Sequence, residues 1–196
     1  MPATPFDPLP PVAAWRHRDA RSGFEVVFLA EDAGGVRVEG YSTAVEAGEA
    51  WHGRYVIDLD GAFRTRTARV HVRTVRGEHA RTLDADGAGR WRVDGEPAAH
   101  LDGVLDVDLE ASAFTNALPV RRLALALGAR ADAQAAYVRA LDLRVERLEQ
   151  AYERIAEPAP RRRFAYASPA FGFAAELVSD GAGLVLDYPG IAERVR

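Results

Sequence analysis

Trp51-His-Gly-Arg-Tyr-Val-Ile-Asp-Leu-Asp60 is the stretch that decides the fold class. Trp51, Gly53, Tyr55, Ile57 and Leu59 alternate with His52, Arg54, Asp58 and Asp60, and only Val56 breaks the pattern. A period of two places alternate side chains on opposite faces of an extended chain, so this is a half-buried strand. The same period runs from Phe24 onward. Arg64, Arg66, Ala68, Val70 and Val72 share one face of the next segment, and Leu101, Leu105, Val107 and Leu109 oppose Asp102, Asp106, Asp108 and Glu110. Three further segments, Asp32 to Gly40, Asp86 to Gly95 and Asp180 to Gly190, each read as a Gly-rich hairpin turn feeding a strand. Gly87-Ala-Gly89 and Gly181-Ala-Gly183 begin like a dinucleotide fingerprint, but no third Gly follows and no helical pattern starts there.

Composition bounds the chemistry. The 196 residues carry 25 basic and 29 acidic side chains, a net charge of −4, and every basic residue is Arg. Without Lys there is no Schiff base, no pyridoxal phosphate anchor and no P-loop. Without Cys there is no thiol nucleophile, disulfide, iron–sulfur cluster or thiolate zinc site. The acidic balance lacks the footprint of a nucleic-acid binder. Histidines 17, 52, 71, 79 and 100 show no ligand spacing, and none of the five serines lies in Gly-x-Ser-x-Gly, so no metal, cofactor or hydrolase elbow is expected. Residues 1–14 read as an extended Pro-rich arm and 15–196 as one domain. With no apolar run of membrane-spanning length, the expected location is the cytoplasm.

Two stretches resist the period of two. Ser112-Ala-Phe-Thr-Asn-Ala-Leu118 starts on a good cap residue, spaces Phe114, Ala117 and Leu118 helically, and stops before Pro119. In 135–155, Leu141, Val145, Leu148, Tyr152 and Ile155 form a helical stripe, although 137–145 also alternates. Local pattern favours a helix there.

Taken together, Trp15 followed by Glu25, Tyr55-Val-Ile-Asp58, Phe63-Arg-Thr-Arg66, Trp91, Leu101-Asp-Gly-Val-Leu-Asp-Val-Asp108, Phe114-Thr-Asn-Ala-Leu-Pro-Val-Arg-Arg-Leu123, Gln150-Ala-Tyr152, Arg163-Phe-Ala-Tyr166 and Gly183-Leu-Val-Leu-Asp-Tyr-Pro-Gly190 resemble the family named "putative glycolipid-binding". The resemblance implies a mainly β fold, a spiral β-roll whose many-stranded, mostly antiparallel curved sheet wraps around one short central helix at Phe114–Leu118. It also implies a homodimer, and a strand over 137–145 where the local pattern favours helix. Members often carry Cys where this chain has Val104, which points to a core role for that position.

The candidate ligand-binding residues are Arg64, Arg66, Asp106, Asp108, Thr115, Asn116, Arg122, Tyr166 and Tyr188. Asp106 and Asp108 lie about 6.6 Å apart on one strand face, a separation that suits an inverting carboxylate pair. Their ordinary role is to pair with Arg64 and Arg66 in an internal polar layer. Arg121 and Arg122 should point to opposite faces of a strand. Thr115 and Asn116 offer hydroxyl and amide groups, and Tyr166 and Tyr188 offer faces for sugar rings. The expected function is non-catalytic binding of a glycolipid or other amphiphile, its acyl part against the curved sheet. The alternatives are a carbohydrate-conjugate hydrolase or isomerase using Asp106 and Asp108, or a ligand-free dimeric scaffold.

Overall fold

The computed structural model describes residues 5–156 and 161–196. Chain order is β1 (Val12–His17), β2 (Ser22–Asp32), β3 (Gly35–Glu46), β4 (Glu49–Asp60), β5 (Thr65–Thr74), β6 (Gly77–Ala85), β7 (Trp91–Val93), β8 (Glu96–Pro97) and β9 (Asp106–Leu109). A 3-10 turn at Phe114–Asn116 runs into helix α1 (Ala117–Leu123). Then come β10 (Arg130–Asp132), β11 (Ala135–Val138), β12 (Val145–Leu148), β13 (Ala151–Ala156), β14 (Arg162–Ser168), β15 (Phe173–Ser179), β16 (Val185–Tyr188) and β17 (Ala192–Arg194).

Fourteen strands form one open antiparallel sheet in the order β10-β13-β14-β15-β16-β17-β1-β2-β3-β4-β5-β6-β7-β8. The other three form a small inner sheet, β12-β11-β9, in which β9 and β11 are parallel. A parallel pair needs a long crossover, and residues 110–134 supply it, carrying α1. The fold is thus the mainly β roll around one helix that the resemblance implies. The three Gly-rich phrases fall between the antiparallel pairs β2/β3, β6/β7 and β15/β16.

The long strands bury one face. Trp51, Tyr55, Ile57 and Leu59 point inward from β4, as their alternation requires, and pack with Trp15, Val27, Val38 and Ala68 of the neighbouring strands. This face is covered by Val107 and Leu109 of β9, Phe114, Ala117 and Leu118 of the helical segment, and Ala136 and Val138 of β11. A second cluster joins Val120 of α1 to Tyr152, Phe164, Tyr166, Leu177, Val185 and Tyr188. Because one helix feeds both clusters, it ties the two halves of the sheet together. The apolar face is therefore covered by the protein itself, which corrects the expectation that an acyl chain would lie against it.

Several local expectations are corrected. The helix does not stop before Pro119 but runs through it to Leu123, and Ala124 ends it in the left-handed region (φ 44°). Proline is tolerated there because first-turn N–H groups lack intrahelical partners anyway. Arg121 and Arg122 accordingly lie on this helix and not on a strand. The helix that the local pattern favours over 135–155 is absent, in keeping with the strand that the resemblance implies: β11, β12 and β13 occupy that stretch, but residues 139–144 turn between the first two, so the strand implied over 137–145 is interrupted. All four β11 residues are buried, as befits a central strand covered on both faces, and of the stripe Val145, Leu148, Tyr152 and Ile155 fall in strands while Leu141 falls in the turn. Only Asp106–Leu109 of the Leu101–Glu110 segment is strand. Val12, Ala13 and Ala14, read as part of the arm, open β1, with Ala13 fully buried.

Beneath β2–β4 lies a buried carboxylate. Glu25 accepts hydrogen bonds from Tyr55 Oη (2.5 Å), from Ser112 Oγ and from the Ala113 N–H (2.8 Å). Burial pushes its carboxyl pKa up against these bonds. Tyr55 reaches Glu25 by lying across Gly40 of β3, where a Cβ would stand 1.9 Å from the ring's Cζ. Gly40→Ala should therefore displace Tyr55 and cost roughly 2–4 kcal/mol in denaturant melts, from overpacking and a lost buried hydrogen bond. Gly61→Ala, where a Cβ meets nothing within 4 Å, should change stability by less than about 1 kcal/mol.

Candidate functional site

Ser112 begins the helical segment. Its Oγ accepts the Thr115 N–H at 3.3 Å, the cap its side chain promised. With the segment fixed there, Thr115 Oγ1 donates to Asp108 Oδ1 at 2.7 Å. Two turns further along, Arg122 grips Asp106 through two bonds, Nε to Oδ1 at 2.9 Å and an Nη2 contact with Oδ2 at 2.6 Å. That pair is largely buried, with Asp106 side-chain exposure of 1%. The internal acid–Arg pairing foreseen for β9 thus exists, with a different arginine.

Arg64 and Arg66 do not take part. Arg64 sits ahead of β5 and bonds Asp60, Nε to Oδ2 at 2.8 Å. Arg66 is exposed and donates to the Ala85 carbonyl. The reason is a bulge: Leu59 pairs with Thr65 and Asp58 with Thr67, so Arg66 is skipped and the facing of the strand reverses behind it. Thr65 takes the inward place, and its Oγ1 accepts the Val107 N–H at 3.0 Å, holding β9 to the long sheet.

Asp108, Asn116, Tyr166 and Tyr188 are brought together on one cavity of about 290 Å³. Tyr137, Phe171 and Phe173 add aromatic surface, and Arg21, Glu46 and Glu110 complete its polar lining. The rings support one another. Tyr166, Phe173 and Tyr188 stand about 6 Å apart pairwise, at 59° to 76°, and Tyr137 lies 5.4 Å from Phe171. Such tilted and edge-to-face contacts are the favoured aromatic geometry. Tyr166 donates to Gln150 Oε1 at 2.9 Å, and Tyr152 donates to Asn116 Oδ1 at 2.9 Å.

Burial sets the electrostatics. It raises the Asp108 carboxyl to about 6, with Asp106 and Glu110 adding to the rise and the Thr115 bond opposing it. Burial, and then nearby carboxylates, push the hydroxyls of Tyr137 and Tyr166 upward; for Tyr188 the neighbouring Tyr166 contributes before Asp108. Other inward acids hold arginine. Besides Asp106 with Arg122, Glu46 pairs with Arg21 and Glu110 with Arg139.

Arg21, Glu46, Glu110, Tyr137, Phe171 and Phe173 were missed as site residues. Residues so far apart in the chain meet only through the sheet order. The aromatic density of Tyr166, Phe171 and Phe173 over eight positions was the one signal that could have found part of the wall.

An all-β roll with an inner helix and one aromatic, acidic cavity defines the class of the protein. The chain belongs to the family described as "Putative glycolipid-binding", whose model matches residues 12–194. It is similar to the crystal structure of a DUF1089 family protein from Pseudomonas aeruginosa, at 34% identity and a TM-score of 0.77, over 87% of this chain and 92% of the other. No curated protein matches it. Among the described residues no helix is long and apolar enough to cross a membrane.

Two stability predictions follow from these pairs. Arg122→Met leaves a buried carboxylate unpaired and should cost about 3–5 kcal/mol in denaturant melts, whereas Arg64→Met, at a pair open to solvent on the arginine side, should cost about 1 kcal/mol or less. Asp108 has a raised folded pKa, so the native state holds its proton more tightly than the unfolded chain. Its contribution to stability falls as pH rises from 3.8 to about 6 and is flat beyond. Asp108→Asn should gain on the parent protein across that window, by up to about 2–3 kcal/mol. A constant difference from pH 4 to 7 would show that Asp108 titrates normally.

Proposed function

We propose that the cavity holds the glycan head of an amphiphile and that the chain binds it without turning it over. The observation that carries this reading is the wall formed by Tyr137, Tyr166, Phe171, Phe173 and Tyr188 around Asp108 and Asn116. Aromatic faces take the apolar faces of sugar rings, and a few convergent polar groups fix orientation. At about 290 Å³ the cavity falls near the lower end of ligand pockets, roughly 300–1,000 Å³, which suits a head group and not a whole lipid. The acyl part then leaves past the half-exposed ring of Phe171.

The binding reading is favoured over hydrolysis or isomerisation by the state of Asp106. An inverting mechanism needs two working carboxylates, and Asp106 is held at both oxygens by Arg122. The homodimer belongs to the same proposal. Phe24, Phe28, Tyr41 and Val45 are each about half exposed on β2 and β3, and a two-fold partner would cover them. Sedimentation at micromolar concentration should return twice 21.3 kDa.

Titration calorimetry with octyl glucoside against octanol tests the head-group reading. The glycoside should bind the more tightly, and Phe173→Ala should weaken it about tenfold, the equivalent of one aromatic contact. Equal affinity for both would reduce the function to lipid binding. Steady release of free sugar would establish the enzyme instead.

A further inference from the structure

Glu46, Asp106 and Glu110 each have an arginine, but Asp108 has none: among the described residues no guanidinium or imidazole lies within 4 Å of it. Its donors are neutral, the Thr115 hydroxyl and the Leu109 backbone N–H. A half-buried carboxylate without a cation is costly, and this chain carries 25 arginines that could have relieved it. Asp108 instead faces the cavity, together with Tyr137, Tyr166, Phe173 and Tyr188. Aromatic faces attract cations through their quadrupoles, most strongly where water is excluded. The protein already uses that attraction on this wall, because the Arg139 guanidinium lies 5.3 Å from the ring centres of both Tyr137 and Phe171.

We infer that the cavity selects a positively charged head group, and that the ligand is an amino sugar whose ammonium meets the Asp108 carboxylate among the tyrosine rings. The inference rests on the glycan reading and narrows it. An ammonium there supplies the partner that the fold withholds, donates to the second carboxylate oxygen, and leaves the rest of the sugar ring against the aromatic wall. An anionic head group is disfavoured, since the lining carries Glu46, Asp108 and Glu110, and the two arginines beside it are already engaged, Arg21 by Glu46 and Arg139 by Glu110 and Glu146. Asp108 acts by touching the ligand, while Thr115 positions it.

The test is titration calorimetry of the full chain at pH 7.5, where Asp108 is ionised. The probes are octyl glucosaminide with its free amine, the N-acetylated form, octyl glucoside and octylamine. The free amine should bind at least tenfold more tightly than the N-acetylated form. Asp108→Asn should abolish that preference. The comparison within the unaltered protein stands even if the variant folds poorly. Neutral glycosides binding as well as the amine would overturn the inference and leave the glycan reading intact, and so would a preference that survives in Asp108→Asn. Octylamine binding as tightly as octyl glucosaminide would uphold the cation site and overturn the glycan reading. Binding of none of the four would overturn both.

Discussion

The Glu25 carboxylate is the point on which the interior turns. A carboxylate with no exposure is tolerable only when its oxygens are satisfied. Glu25 meets that demand with donors from two places: Tyr55 of the long sheet, and Ser112 and Ala113 at the head of the helical segment. The bonds fix where the helix starts against the sheet. From that start follow the Thr115 contact with Asp108, the Arg122 contact with Asp106, and the reach of Val120 into the second cluster. The requirement extends outward as well, since Gly40 is small so that Tyr55 can lie across it.

Polar order inside the roll comes from one short strand flanked by specific partners. β9 is held on one side by Thr65 and on another by β11, and it presents Asp106 and Asp108 to different environments. One carboxylate meets a guanidinium fork and closes the core. The other meets a hydroxyl and an open space. Two chemically identical side chains two residues apart thereby divide between holding the fold and lining the cavity, and the division is made by the helix above them.

Much of this was legible in the chain. Alternation in Trp51 to Leu59 located the inward face of β4 correctly, and the Gly-rich phrases marked three hairpins. Pattern failed where geometry is non-local. The bulge at Arg66 reverses a strand's facing without leaving a mark in the alternation, so Arg64 and Arg66 were assigned to the interior and lie outside it. In 135–155 the stripe of Leu and Val fits a helix and buried strands equally well, and only the parallel pairing of β11 with β9 decides between them. Of the candidate residues, Asp108, Asn116, Tyr166 and Tyr188 share one cavity. Arg21 and Glu46 were not legible, because their place is set by hairpins far along the chain.

The ladder between β1 and β17 sets the order of assembly. It joins Arg16 to Glu193 across 177 residues, and through it the half of the sheet that begins at β1 meets the half that ends at β17. During synthesis, β1 to β8 can pair in hairpin succession as they emerge, with each strand adding to the last. The flank of β1 that receives β17 stays open until residues 192–194 leave the ribosome. Trp15 shares this delay, since its indole N–H donates to the Val185 carbonyl at 2.7 Å. Contacts of such separation are slow to form, so the nascent chain spends most of its synthesis as a half-sheet with an unpaired edge. That interval is when capture by another strand is most dangerous.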